Sequence, residues 1–272
     1  APVTVRETSL IQGGSADLSY AVMVLDSGPV IIEGNFVQGA DGGPGSALGI
    51  FGPVGTTGPV EVISNGIAGG GVDDAENGTI CIVSGDADVL FFLNEISGSY
   101  PVDTAPNGVS AIAVVEAQGV VEIDANRIQL IADWFPAAVG IYAQQTADLR
   151  VTNNIISTYA TDVSTGLRAE PFSYVAIAHN TFIADVGPAG TNELAIDLAA
   201  DVDGIVTGNL AYAPQDLNGD ALMVALMPGV ISAMEQREVR ASSGSVDLQD
   251  PANMFVAPDT SLADGNDGDW RL

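Results

Sequence analysis

Apolar and polar residues alternate in short bursts along most of the chain, and each burst ends on an asparagine. The first reads Val30-Ile31-Ile32-Glu33-Gly34-Asn35, and the asparagine returns at Asn65, Asn94, Asn126, Asn154, Asn180 and Asn209, at intervals of 30, 29, 32, 28, 26 and 29 residues. Five and three residues before these asparagines stand apolar pairs such as Val60 and Val62, Val89 and Phe91, Val121 and Ile123, and Val175 and Ile177; only Gly204, before Val206, breaks the set. Two residues after them stand Val37, Ile67, Ile96, Ile128, Ile156, Phe182 and Ala211. Period-two spacing on both sides of one polar residue predicts two short strands meeting at a corner, with apolar side chains inward. Asparagine suits the corner because it tolerates the left-handed backbone region and because its amide can bond to the same residue one coil away. A helix is excluded by the spacing of two and by the glycines and prolines that cut the pattern.

A unit of about 29 residues is therefore stacked, rather than one large core wrapped. A third strand opens each coil, as in Ala21 to Leu25, Ile80 to Val83 and Leu194 to Leu198, and ends at a glycine- or aspartate-bearing turn. After each asparagine corner the chain leaves the coil in a loop of variable composition. These loops run over 39–45, 69–78, 97–108, 132–136, 158–162, 185–190 and 214–220. Because the repeat is in phase they should emerge on one side of the rod, where function is most readily written.

The phrases Val151-Thr152-Asn153-Asn154-Ile155-Ile156 and Ile177-Ala178-His179-Asn180-Thr181-Phe182 resemble the coil repeat of the right-handed parallel β-helix proteins, the pectin-lyase-like superfamily of secreted repeat proteins. The resemblance covers roughly residues 20 to 213, and the stretches 250–258 and 268–272 resemble the tail after the last coil in many secreted bacterial members. It implies an all-β, single-stranded right-handed parallel β-helix of about eight coils with an internal asparagine ladder, a rod on the order of 40 Å long at the usual strand spacing. Residues 1–19 are expected to form a partial coil or cap, 20–213 the repeats, and 214–272 the last coil and a capping tail. The superfamily includes lyases, hydrolases, tailspikes and adhesins, so the repeat specifies a fold and not a chemistry.

Composition fits that fold. Hydrophobic residues make up 47% of 272 residues, yet no run of eighteen apolar residues could span a bilayer; the surplus belongs inside the coils. Thirty-five acidic residues face seven arginines and no lysine, a net charge of −28. Such a surface repels nucleic acid, anionic membranes and polyuronates unless divalent cations intervene, and suits a saline setting. Neither a nucleic-acid partner nor membrane insertion is expected. The lone Cys81 falls at an inward position, thirteen residues before Asn94, where other coils place Val22, Ile141, Leu167 and Ile196; a buried small hydrophobe is the simplest reading. The start, Ala1-Pro2-Val3, has no charged, apolar signal pattern, as in a mature chain whose export signal has been removed.

Lyases of this fold need a basic residue to take the proton beside the uronate, and the chain offers only Arg127, Arg150 and Arg168 within its repeats. Hydrolases of the fold use clustered aspartates. Here Asp73-Asp74 sits in a glycine-rich loop, and the sole histidine, His179, follows no glycine and should be an ordinary exposed side chain beside Asn180. Stacking the opening strands in register with the asparagines sets Tyr142, Arg168 and Asp197 in one outward row, with Gln144 and Glu170 in the next. That face could bind a sugar or do acid/base work, or it could be a cross-strand ion pair on a solvated sheet. Calcium is the plausible cofactor: Asp216, Asn218 and Asp220, and Asp264, Asn266 and Asp269, set oxygens at short intervals with glycine for tight turning, although such clusters are also common turn chemistry. Trp134-Phe135 could be a sugar-stacking platform or fold back over the coil.

Together these features lead us to expect a non-enzymatic, extracellular or cell-surface structural or adhesive β-helix, self-associating or meeting a surface glycan. The alternative is a carbohydrate-active enzyme or glycan-binding module acting across Tyr142, Arg168, Glu170 and Asp197 on a neutral or calcium-bridged polysaccharide.

Overall fold

The computed structural model describes residues 2–212 apart from 14–18, 26–28, 40–44, 53–57, 70–77, 100–108, 133–134, 188–189, 191, 200–201 and 208; beyond 212 it describes only 224–226, 246–247, 257–258 and 268–269. Every regular element among the described residues is a strand. Apart from the antiparallel pair Ala257–Pro258 and Gly268–Asp269, the strands form three parallel walls of a right-handed solenoid. Wall A runs from Val3–Arg6 to Asp203–Thr207, wall B from Ile11–Gln12 to Val246–Asp247, and wall C from Ser19–Leu25 to Val224–Leu226. Each strand pairs with its counterpart one coil away, as where Val89 of wall A pairs with both Val60 and Val121.

The walls hold eight, nine and eight strands, but the regular solenoid is shorter than the eight coils expected, at about five turns. Wall B is uneven along the rod. Its strands Glu95–Ser99 to Thr181–Val186 have five or six residues, whereas Ile11–Gln12, Phe36–Gln38, Gly66–Ala68 and Leu210–Tyr212 have only two or three. Fewer ladder bonds and fewer inward side chains hold those outer rungs. Residues 3–12 nevertheless share the coil register, Val3–Arg6 pairing with Val30–Glu33 and Ile11 with Val37.

The interior is the predicted one. The residues five, three and minus two positions from the asparagines are buried, among them Val62, Phe91, Ile96, Val121, Ile123, Ile128, Val151, Ile156, Ile177 and Phe182. Each such side chain contributes about 1.5–3 kcal/mol relative to exposure. Cys81 sits in the wall C column between Leu48 and Ile112 and is fully buried. The exception at Gly204 has a backbone cause: φ is +151°, and a Cβ there would lie 1.8 Å from the Val175 carbonyl oxygen.

All seven asparagines are 3% exposed or less and form one continuous ladder. In each coil the backbone N–H and the side-chain Nδ2 of one asparagine both donate to the Oδ1 of the next. The six N–H bonds, from Asn35 to Asn65 through Asn180 to Asn209, span 2.8–2.9 Å. Nδ2 also reaches the preceding coil, as from Asn126 to the Phe91 carbonyl at 2.9 Å and from Asn154 to the Ile123 carbonyl at 2.8 Å. The left-handed residue at the corner is not the asparagine but the residue before it: Gly34, Ser64, Leu93, Ala125, Asn153 and His179 all have φ between 54° and 66°. That residue turns the chain, which leaves the asparagine amide free to point inward and along the rod.

Thr8 is the position the sequence reading missed. Glu7 has φ 51°, and the Thr8 N–H donates to Asn35 Oδ1 at 3.0 Å, so threonine occupies the first place of the ladder. The preceding Val3 and Val5, at the expected spacing, were the readable signal.

Candidate functional site

Wall C carries the outward row assembled from sequence spacing. Tyr142 pairs with Arg168, and Arg168 with Asp197, in adjacent coils. Its three strands, Ala137–Gln144, Val163–Ala169 and Asn192–Leu198, alternate because Ile141, Leu167 and Ile196 are drawn into the core, which turns their successors outward. Glu170 follows in the next outward position. Arg168 Nε donates to Glu170 Oε1 at 2.8 Å and lies 3.7 Å from Asp197 Oδ2. The Tyr142 hydroxyl donates to Gln144 Oε1 at 3.4 Å, a long, weak bond. All five predicted residues thus share one face, with the guanidinium between two carboxylates.

The electrostatics follow from burial. Asp197 is held above the ordinary carboxylate range, first by loss of solvent, with Glu170 adding to the shift and Arg168 opposing it. Tyr142 is raised for the same causes: burial first, then Glu170, against Arg168. Arg168 is a clamp between two carboxylates. Arg150 is likewise held by Asp148 at 2.7 Å, and Arg6 by Glu33 at 2.7 Å.

Among the described residues, parts of the loops expected beside this face are strand. The expected loop over 158–162 shrinks to Thr161 and Asp162, because Ile155–Ala160 and Val163–Ala169 are both strand. Ala132 and Asp185-Val186 also belong to strands rather than loops. On the other border lies a feature sequence reasoning passed over. Phe172, φ 64°, is 73% exposed at the corner after Glu170, and Tyr174 is 37% exposed beyond it. An aromatic directly after Pro171 in a corner segment was the available clue.

The other candidates fare differently. Phe135 is fully buried within the hydrophobic core and so cannot serve in a stacking platform, while Trp134 lies outside the described residues. His179 is exposed at a corner. Asp73, Asp74, Asp216, Asn218, Asp220, Asp264 and Asn266 lie outside the described residues, and of Asp269 only the backbone is described, in a short antiparallel pair with Ala257. Among the described residues no group of three or more His, Cys, Asp or Glu side chains is placed to hold a metal ion, and no helix is long and apolar enough to cross a membrane. No protein-family model, curated protein or solved structure matches this chain.

Proposed function

We propose that this protein is an extracellular or cell-surface structural or adhesive β-helix of the pectin-lyase-like type, a rod whose role is to hold flat walls at fixed spacing and to associate with other copies or with a surface glycan. The observation that carries this reading is the Arg168 cluster: the most elaborate outward constellation among the described residues is a guanidinium neutralised by Glu170 and Asp197 on the outer face of wall C. An exposed ion pair of this kind contributes little stability and presents no free base. The internal amide ladder supports the same reading, because it invests the buried polar groups in stiffness along the rod axis. Calcium bound by the acidic C-terminal clusters would reduce the repulsion that a charge of −28 imposes on association.

The second reading, a glycan-active or glycan-binding face across Tyr142, Gln144, Arg168, Glu170 and Asp197, draws support from the raised Asp197 carboxyl beside a tyrosine. A glycan array, a reducing-sugar assay and an ultraviolet assay for unsaturated uronate separate the two. Binding without turnover fits an adhesive rod; turnover lost in Asp197→Asn would overturn it.

A further inference from the structure

The outward row on wall C runs into an exposed aromatic ring at the edge of the wall. Phe172 lies between the strands Val163–Ala169 of wall C and Tyr174–Ala178 of wall A, and it is 73% exposed. The C-to-A connections of the two preceding coils also carry a non-glycine residue at positive φ, and there it is polar, Glu116 at 53° and Gln145 at 52°. The corner itself therefore does not call for phenylalanine. The backbone under the ring is pinned on both sides. The Glu170 N–H donates to the Ala143 carbonyl at 2.8 Å and the Tyr174 N–H to the Thr146 carbonyl at 3.0 Å, while the buried Ser173 Oγ accepts the Thr146 N–H at 3.3 Å. Pro171 fixes its own φ and restricts Glu170 before it. An apolar ring is thus held in water on a fixed mount, so little conformational freedom is lost when a flat apolar surface packs on it.

We propose that Phe172 and the outward row of wall C form a binding site for a neutral oligosaccharide, one sugar ring lying on Phe172 and its neighbours hydrogen-bonded to Glu170, Arg168, Gln144 and Tyr142. Three observations select this class of ligand. The first is the mixture of groups. The Arg168 guanidinium donates, the Glu170 carboxylate accepts, and the Gln144 amide and Tyr142 hydroxyl do both; sugar hydroxyls need such a mixture, while the C–H face of the sugar needs an apolar ring beside it. The second is charge. Arg168 lies 2.8 Å from Glu170 and 3.7 Å from Asp197, so one positive and two negative groups leave the patch at −1, and Arg150 on wall A is held by Asp148 at 2.7 Å. A uronate or sulfated sugar would meet a net negative patch whose guanidinium is already committed. The third is reach. Phe172 and Arg168 stand four residues apart, at most about 13 Å of extended chain, and Tyr142 pairs with Arg168 from the adjacent coil. One sugar ring covers only part of that row, so the ligand is an oligomer.

The inference deepens the glycan contact proposed above and rests on it. Titration calorimetry of the whole chain with cellohexaose, xylohexaose and mannohexaose in EDTA tests it, with a galacturonic acid oligomer, with and without calcium, as the contrast. At least one of the neutral sugars should bind, and more tightly than its own monosaccharide. Phe172→Asn removes the ring but keeps the turn, since asparagine tolerates positive φ, and should weaken binding about tenfold. Phe172→Trp should retain it, and Tyr142→Phe should weaken it with the ring still in place; circular dichroism should be unchanged in all three variants. Binding of none of the neutral sugars, binding unchanged in Phe172→Asn, or binding of the galacturonate oligomer with calcium alone overturns the proposal. That last outcome leaves the adhesive rod standing, whereas turnover of a neutral sugar would remove the non-enzymatic reading and leave the Phe172 site in place.

Discussion

Replacing Asn126 by alanine tests the ladder at its middle, and the structure sets the size of the effect. Asn126 Oδ1 accepts the Asn94 N–H and Nδ2, each at 2.9 Å. Asn126 Nδ2 donates to the Phe91 and Asp124 carbonyls, both at 2.9 Å, and to Asn154 Oδ1 at 3.0 Å. Asn126→Ala orphans the buried Asn94 N–H and takes one partner from the Phe91 carbonyl, while Asn94 Nδ2 keeps the Val62 carbonyl at 2.8 Å. An unsatisfied buried backbone group costs about 1–3 kcal/mol, and the space left by the amide adds a cavity contribution, so the expected loss is about 3–5 kcal/mol. Asn35→Ala should cost less, because only the Thr8 N–H depends on its Oδ1 and the first rung is already partly solvated. Asn126→Asp should be at least as damaging as alanine near neutral pH, since it sets a carboxylate oxygen against the Phe91 carbonyl and Asn154 Oδ1. Equilibrium urea unfolding followed by circular dichroism and by exposure of the Cys81 thiol reads the series. If Asn126→Ala and Asn35→Ala cost the same, or if the former costs under about 1 kcal/mol, the ladder is not what secures the interior.

Gly166→Val should destabilise the rod by about 1–3 kcal/mol through overpacking, because even a Cβ at this site would lie 2.5 Å from Phe182 Cδ1 and 2.7 Å from the Ala195 carbonyl oxygen; thermal unfolding measures it. Leu93→Gly should stabilise by about 0.5–1 kcal/mol, because this leucine is 53% exposed and holds φ at 57°, a strain glycine does not feel; an unchanged or lowered midpoint would count against the assignment of the turn to the residue before the asparagine. For Asp197 the folded carboxyl titrates above its unfolded value, mainly because it is buried. The folded state therefore binds more protons, and this residue's contribution to stability falls as pH rises from the unfolded pKa through the folded one. Asp197→Asn should accordingly unfold later than wild type at neutral pH, with the advantage disappearing in acid; the reverse dependence would mean that Arg168 outweighs burial.

The asparagine spacing made the wall register legible before any coordinates, since a side chain buried in a stack must recur at every storey. The same constraint gave the Tyr142, Arg168 and Asp197 row, because outward neighbours follow once the inward ones are fixed. What escaped was set by backbone geometry that side-chain type reports only weakly. The turning residue is glycine, serine, leucine, alanine, asparagine or histidine from coil to coil, so no residue type marks it, and the recurring signal is the asparagine beside it. Thr8 escaped because it fills the position with its backbone N–H, which every non-proline residue has. Strand ends over 158–162 escaped because Thr158, Tyr159 and Ala160 continue the wall B register in a segment whose polar composition suggested a loop.

Two neighbouring columns of wall C show why the fold is written more plainly than the function. The inward column runs Val22, Leu48, Cys81, Ile112, Ile141, Leu167 and Ile196; the outward column beside it runs Met23, Gly49, Ile82, Ala113, Tyr142, Arg168 and Asp197. Every member of the first must be apolar and of similar size, since each packs on the ones above and below. The second has no such demand, and along the same wall it passes from apolar to charged. At its apolar end the bare Gly49 is covered by Tyr20 and Phe51, whose rings meet edge to face at 5.5 Å; at its charged end Arg168 is shared by two carboxylates. Evolution can rewrite the outward column rung by rung without disturbing the inward one, so the repeat that announces the architecture is silent about the surface chemistry. Among the described residues the first rung differs, because Val5 and Val22, inward by register, are only half-buried there.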